Sequence, residues 1–319
     1  MVLVLVTTAS AAVLLHSAYS NYAALSELSF QIWSPTILVA LTLMLMMLVA
    51  KGWLHVQLLR HEGMKAEPGS LMMTSYFLSQ VARYLPGKVI GIAAQSLHMT
   101  GSVTGGAVWR ANFTQYVITN FFSVLFLLVV LTVYATANIQ YLVLLVLVFA
   151  TTGLFLSSNL CALIFDGSLR LLKRSNRLTN TASWDAGPVA QILTLLSLDW
   201  VFYFGFWILV LTTTLNAHDA ILFSSIYAAA SFLSTLFVVM PSGLLIREAA
   251  FIWLGTRFGF GHDHLIVYSV LARLLFMLGD ILVFGGFWLG NSAIKRLKHG
   301  RTAPILERTG TTRKVRVRH

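Results

Sequence analysis

Arg83, Tyr84, Leu85, Pro86, Gly87 and Lys88 form a polar island in a stretch bordered by apolar runs. Pro86 removes a backbone donor and holds Leu85 away from helical angles, while Gly87 loosens the chain, so a helix breaks here. Pro86 also suits the first position of a new helix, which offers unpaired N–H groups and a partial positive charge. Such a helix start favours anions, phosphate especially, and Arg83 and Lys88 add two full charges. A second stretch repeats the arrangement with Pro241, Ser242 and Gly243, followed by Arg247 and Glu248. Ser242 is a suitable helix cap. The chemistry predicted at both breaks is anion binding. Arg83, Lys88 and Arg247 would supply the charge, while Tyr84, Pro86, Gly87, Pro241, Ser242, Gly243 and Glu248 shape the cavity around them. A plainer reading has the same cations snorkelling to headgroups beside tolerated kinks.

The elements that must carry these residues are apolar. Of 319 residues, 57% are hydrophobic and 10% charged, with mean hydropathy +0.79. The apolar residues come in runs rather than amphipathic stripes, which predicts an all-α, polytopic helical membrane protein. Clear spanning runs lie at 2–18, 35–54, 112–134, 141–163, 189–215, 220–240 and 265–289, each near the roughly 20 residues a span needs. The stretch 71–106 is long, only moderately apolar and broken at Pro86-Gly87, so it reads as re-entrant. The stretch 243–260 contains Arg247, Glu248 and Arg257 and decides between seven and eight crossings. Broken helices at membrane depth are tolerated where they are buried in protein or line a wet cavity. Paired breaks in the two halves of a chain point to a transporter's substrate site.

Charge sets the orientation. The connection at 19–34 has Glu27 and no Lys or Arg, whereas Arg60, Lys65, Arg170, Lys173, Arg174 and Arg177 lie in two other loops. Nine of the 22 basic residues lie from Lys295 onward. The positive-inside rule puts those loops and both termini in the cytoplasm, with about eight spans in the cell's inner (cytoplasmic) membrane. The organisation is then a transmembrane domain at 1–294 and a basic, disordered cytoplasmic tail at 295–319. The net charge of +11 reads as a topology signal and a contact with the anionic membrane surface, not as nucleic-acid binding.

Three further ionisable residues, Asp199, Arg273 and Asp280, fall inside apolar runs. Each should face protein or water and have a partner, since a charge at mid-membrane costs about 2.5–3.5 kcal/mol on insertion scales. Arg273 and Asp280 are seven apart and share a helix face. A polar network of Arg273 with Asp199 or Asp280 is expected, serving proton coupling, headgroup contact or helix registry. His262-Asp263-His264 lacks a separated third ligand, so no metal is expected. No nucleophile elbow or Walker loop is present, and no cofactor is expected.

The strings "SYFLSQVARYLPGKVIGIAAQ", followed by Trp109-Arg110, and "MPSGLLIREAAFIWLG" resemble the lysylphosphatidylglycerol synthase transmembrane-region family, the flippase-like domain of the multiple peptide resistance factor type. Ser242 departs from the commoner Pro-Gly-Gly form of the second string. The resemblance covers most of the chain and implies a stand-alone member, since the sequence ends too soon after its last span for an aminoacyl-transfer domain. It implies binding and translocation of a phospholipid or polyprenyl-phosphate lipid, such as an aminoacyl phospholipid or a polyprenyl-linked saccharide, in cell-envelope or polysaccharide biosynthesis. A glycosyltransferase is the protein partner it suggests. Two alternatives come from other classes: a membrane-embedded transferase with Asp199 or Glu248 as base, and a non-transporting scaffold for glycosyltransferases.

Overall fold

The computed structural model describes residues 35–64, 67–82, 88–99, 105–135, 186–212, 214–236 and 246–301. All regular structure among them is helical. The helices are α1 (Pro35–His61), α2 (Gly69–Ala82), α3 (Lys88–His98), α4 (Gly105–Ala135), α5 (Ala186–Leu211), α6 (Ala217–Leu236), α7 (Ile246–Arg257) and α8 (His262–Arg301). Three stretches, Pro35–His61, Gly187–Leu211 and His262–Ala293, are long and apolar enough to cross a membrane. They coincide with the runs at 35–54, 189–215 and 265–289. The run at 112–134 lies within α4, and most of the run at 220–240 lies within α6. The runs at 2–18 and 141–163 lie outside the described residues.

Local chemistry accounts for several helix ends. Gly63 follows α1 with φ 99°, and Gly259 follows α7 with φ 84°, a left-handed conformation that costs glycine little. The next amide in each case closes the end, Met64 N–H donating to the Leu59 carbonyl (3.2 Å) and Phe260 N–H to the Gly255 carbonyl (3.1 Å). Asn216 caps α6, its side-chain oxygen accepting from the Asp219 amide at 2.8 Å. Pro68 stands just before α2, and Pro35 opens α1.

Helices α2, α3 and α7 contain 14, 11 and 12 residues. At 1.5 Å per residue they reach only about 16–21 Å, short of the roughly 30 Å hydrocarbon core. Helix α2 packs against α3, and α6 against α7. The junctions between those partners contain Arg83, Tyr84, Pro86 and Gly87 in one case and Pro241, Ser242 and Gly243 in the other. All seven lie outside the described residues.

Helix α1 is the hub, packed most extensively on α5 and also touching α2, α4 and α8. Gly52 makes its approach to α2 possible: a Cβ there would come within 2.9 Å of both Met73 Sδ and Phe77 Cε2. On the other side, Phe223 of α6 meets Phe251, Phe260 and Tyr268 edge-on, with centroids 4.9, 5.4 and 5.6 Å away, joining α6 to α7 and α8. Lipid tails are as apolar as leucine, so such packing and a few polar cross-links hold spanning helices together. Two cross-links are Tyr203 O–H donating to the Ser224 carbonyl (2.8 Å) and Asn291 Nδ2 donating to Thr74 Oγ1 (2.7 Å).

Helix α8 runs for 40 residues, about 60 Å, and is therefore longer than a bilayer core. It continues past 294 to Arg301, so Lys295, Arg296, Lys298 and Arg301 of the expected tail lie on helix. Residues 302–319 lie outside the described residues.

Candidate functional site

A cavity of about 480 Å³ lies among the helices, and its wall carries several charged and amide side chains from different helices. Lys51 comes from α1, Asn112 and Gln115 from α4, Asp199 from α5, Arg247 from α7, and Arg273 and Asp280 from α8. Residues spread over 230 positions of sequence are thus brought to one space.

The most informative cluster is at the α7–α8 side. Arg247 Nη2 and Arg273 Nη1 both donate to one oxygen of Glu248, Oε1, each at 3.0 Å. Arg247 and Arg273 are on the cavity wall, whereas Glu248 is 6% exposed and stands off it. The Arg247 guanidinium also lies over the Tyr227 ring, 5.2 Å from its centroid, which fixes the plane of the fork. Each guanidinium carries five N–H donors, and the bond to Glu248 occupies one on each. Glu248 Oε1 is thus a common acceptor for both guanidiniums. The pair suits a phosphate or carboxylate group, because planar forked donors match paired oxygens.

Asp199 lies elsewhere in the cavity. Its Oδ1 is 3.6 Å from Lys51 Nζ, and that carboxylate is almost fully buried. Asp280 lies on the cavity wall two turns along α8 from Arg273. Lys88 is the first residue of α3; its side chain, like Arg83, Tyr84, Pro86, Gly87, Pro241, Ser242 and Gly243, is outside the described residues. The structure therefore joins Arg247, Glu248 and Arg273, which the sequence placed in two separate groups. It pairs Asp199 with Lys51, which sequence reasoning passed over inside an apolar run. One charged residue near the end of such a run was the available signal.

Sequence reasoning also missed a buried amide–imidazole chain joining α1, α3 and α4. His55 Nδ1 donates to Gln115 Oε1 and His55 Nε2 accepts from Gln95 Nε2, both at 2.7 Å. Asn112 Nδ2 in turn donates to Gln95 Oε1 at 2.8 Å. Tyr76 stacks on the His55 ring, with centroids 4.7 Å apart. With Nδ1 donating and Nε2 accepting, the imidazole is neutral and both its nitrogens are satisfied. Just beyond α1, Arg110 Nε donates to Glu62 Oε2. Burial pushes the Glu62 carboxyl above its ordinary value, against the pull of the Arg110 charge.

A smaller cavity of about 340 Å³ adjoins the α5–α6 and α7–α8 turns, lined by aromatics with Asp219 and His264. It has no guanidinium on its wall. Among the described residues no three His, Cys, Asp or Glu gather as metal ligands.

No protein-family model, curated protein or solved structure matches the chain. The site has to be read from its own residues.

Proposed function

We propose that the protein binds a phosphate-bearing lipid in the large cavity and moves its headgroup across the membrane, or assists such a step in cell-envelope biogenesis. One observation carries this reading. Two guanidiniums, gathered by a single carboxylate oxygen, stand on the wall of a polar cavity among apolar helices. In an apolar surround, charged groups are retained where they pair or serve a substrate path.

In this account Arg247 and Arg273 hold the phosphate. Arg83 and Lys88, which flank the first break in the sequence, are the further cations proposed for it, and the helix starts beyond both breaks would add their N–H groups. Lys51 stands beside Asp199 on the cavity wall and offsets its charge. The lipid is an aminoacyl phospholipid or a polyprenyl-linked saccharide, as the resemblance to the lysylphosphatidylglycerol synthase transmembrane region implies. The membrane is the cell's inner (cytoplasmic) membrane, with both termini in the cytoplasm and about eight spans. The transferase reading loses support at its proposed bases. Glu248 is claimed by two guanidiniums and stands off the cavity wall, and Asp199 faces Lys51.

The test is reconstitution of the purified protein in liposomes with headgroup-labelled phospholipids and polyprenyl phosphates added to one leaflet. Appearance of label in the other leaflet, abolished by Arg273→Gln, is expected. Equal rates in protein-free and protein-containing liposomes for every lipid would contradict translocation.

A further inference from the structure

We propose that the smaller cavity, at the α5–α6 and α7–α8 turns, is a site for a methylated organic ammonium ion such as the trimethylammonium of choline. It shares no lining residue with the large cavity and does not depend on the phosphate reading. Its volume, about 340 Å³, falls in the range of about 300–1,000 Å³ usual for small-ligand sites. Phe223 and Tyr268 form the buried part of its lining, and Gly259, Gly261 and His264 its exposed rim. Phe258 and Phe260, both half-buried, flank the left-handed Gly259 (φ 84°), so the turn between α7 and α8 sets two rings into the wall. The ring planes of Phe260 and Tyr268 stand at 89° and 81° to that of Phe223, which makes an aromatic corner.

One carboxylate, Asp219, shares this wall with the rings. Its Oδ2 accepts from Asn216 Nδ2 at 2.9 Å, and its Oδ1 lies 3.4 Å from His218 Nδ1. Those bonds hold the carboxylate in place at the start of α6 without bringing a Lys or Arg to it. No Lys or Arg lines the cavity among the described residues. Arg257, next to Phe258 in the chain, lies over the Trp253 ring instead, 5.8 Å from its centroid.

This wall selects among occupants by charge and by hydration. An anion meets the Asp219 carboxylate, and an acyl chain strips water from it without replacing the lost contacts. An inorganic cation wants several oxygen ligands, and among the described residues no three metal-ligating side chains gather. A primary ammonium brings three N–H donors. Besides Asp219 and the rim imidazole of His264, the side chains offer it Thr214 and Tyr268, whose hydroxyls already bond each other at 2.9 Å. A trimethylammonium needs no hydrogen bonds. It collects over aromatic faces and takes its counter-charge from a nearby carboxylate, which is what the cavity supplies. In the proposed orientation this end of α8 is the one away from the cytoplasm, so the ligand arrives from outside, as a free cation or as a lipid headgroup.

The experiment titrates the purified full chain, in maltoside micelles, with choline, with ethanolamine and with the neutral alcohol in which a tert-butyl group replaces the trimethylammonium of choline. Choline should bind roughly 5–30-fold tighter than that alcohol, the worth of a cation over desolvated rings. Ethanolamine should bind more weakly than choline. Asp219→Asn, which keeps an acceptor for Asn216, and Phe260→Leu, which keeps apolar bulk, should each lower the preference for choline severalfold. Both should bind the alcohol as the parent does and melt near its temperature. Equal binding of choline and the alcohol overturns the cation site in favour of a merely apolar cavity. A choline preference undiminished in both variants overturns it too, because the cation then binds elsewhere, as beside Asp199 or Asp280 in the large cavity. Ethanolamine binding as tightly as choline overturns the methylated class, and no binding of choline overturns the whole proposal. Short-chain phosphatidylcholine and glycerophosphocholine separate the two sources. A tighter fit of the lipid, lost in Asp219→Asn, upholds the site as one for a headgroup, and equal binding of the two upholds it as one for a free cation.

Discussion

Glu248 is the residue on which the site turns. Its Oε1 accepts from both Arg247 and Arg273 at 3.0 Å, and the Arg273 bond joins α8 to α7. Removing a buried carboxylate from two guanidiniums leaves uncompensated charge, a loss of about 3–5 kcal/mol for a broken buried pair. Glu248→Ala should therefore unfold at markedly lower temperature in detergent, whereas Glu248→Gln, which keeps an acceptor, should lose less. Equal melting temperatures for the parent and Glu248→Ala would show that the bridge is not structural. Arg247→Gln and Arg273→Gln should each weaken binding of a phosphatidyl lipid by about 10–100-fold, the worth of a charge-assisted hydrogen bond. The double variant should lose less than the product of the two, because both forks grip one ligand. Strictly multiplicative losses in a binding titration would mean separate sites. At this scale the sequence was legible in residue type but not in pairing. Asp199, Arg247, Glu248, Arg273 and Asp280 stood out because charges are rare in apolar runs. That Arg273 meets Glu248 depends on how α7 packs on α8, which spacing within one helix cannot show.

Helix packing decides which of these side chains reach the cavity. Gly52 follows Lys51 directly and lets α2 close on α1, with Phe77 fully buried in the contact. Gly52→Leu should push α2 away and disturb the wall next to Lys51, at a cost of several kcal/mol, since overpacking alone costs about 1–3 kcal/mol and more for bulky insertions. Thermal unfolding together with loss of lipid binding would report it, and an unchanged melting temperature would contradict the close approach. The apolar helices were legible in sequence because hydropathy runs mark length and place directly, as at α1, α5 and α8. The short helices α2, α3 and α7 were legible only as ambiguous stretches. Their apolar content is diluted by Ser, Gln, Arg and Glu, and their ends are set by turns such as Phe258-Gly259 rather than by hydropathy. The amide–imidazole chain escaped notice because Gln95, Gln115 and His55 carry no charge to mark them, and they meet only once three helices are packed.

The molecule as a whole places a polar cavity among apolar helices, and its charge distribution underlies the proposed orientation. The basic run that begins at Lys295 continues along α8, a helix about 60 Å long and so longer than the hydrocarbon core. In the proposed orientation the basic end of α8 is cytoplasmic, as the positive-inside rule expects. A reporter fused after His319 should be active only if it is a cytosolic one, and activity of a periplasm-dependent reporter there would reverse the topology. Orientation, however, says nothing of what the cavity holds. The most direct test of its content is native mass spectrometry of the purified full chain with phosphatidylglycerol and, separately, with diacylglycerol of the same acyl chains. The expected result is one retained phosphatidylglycerol per chain, no retained diacylglycerol, and loss of the phosphatidylglycerol adduct in Arg247→Gln/Arg273→Gln. Equal retention of both lipids, or an adduct undiminished in that double variant, would contradict a phosphate site at these two guanidiniums.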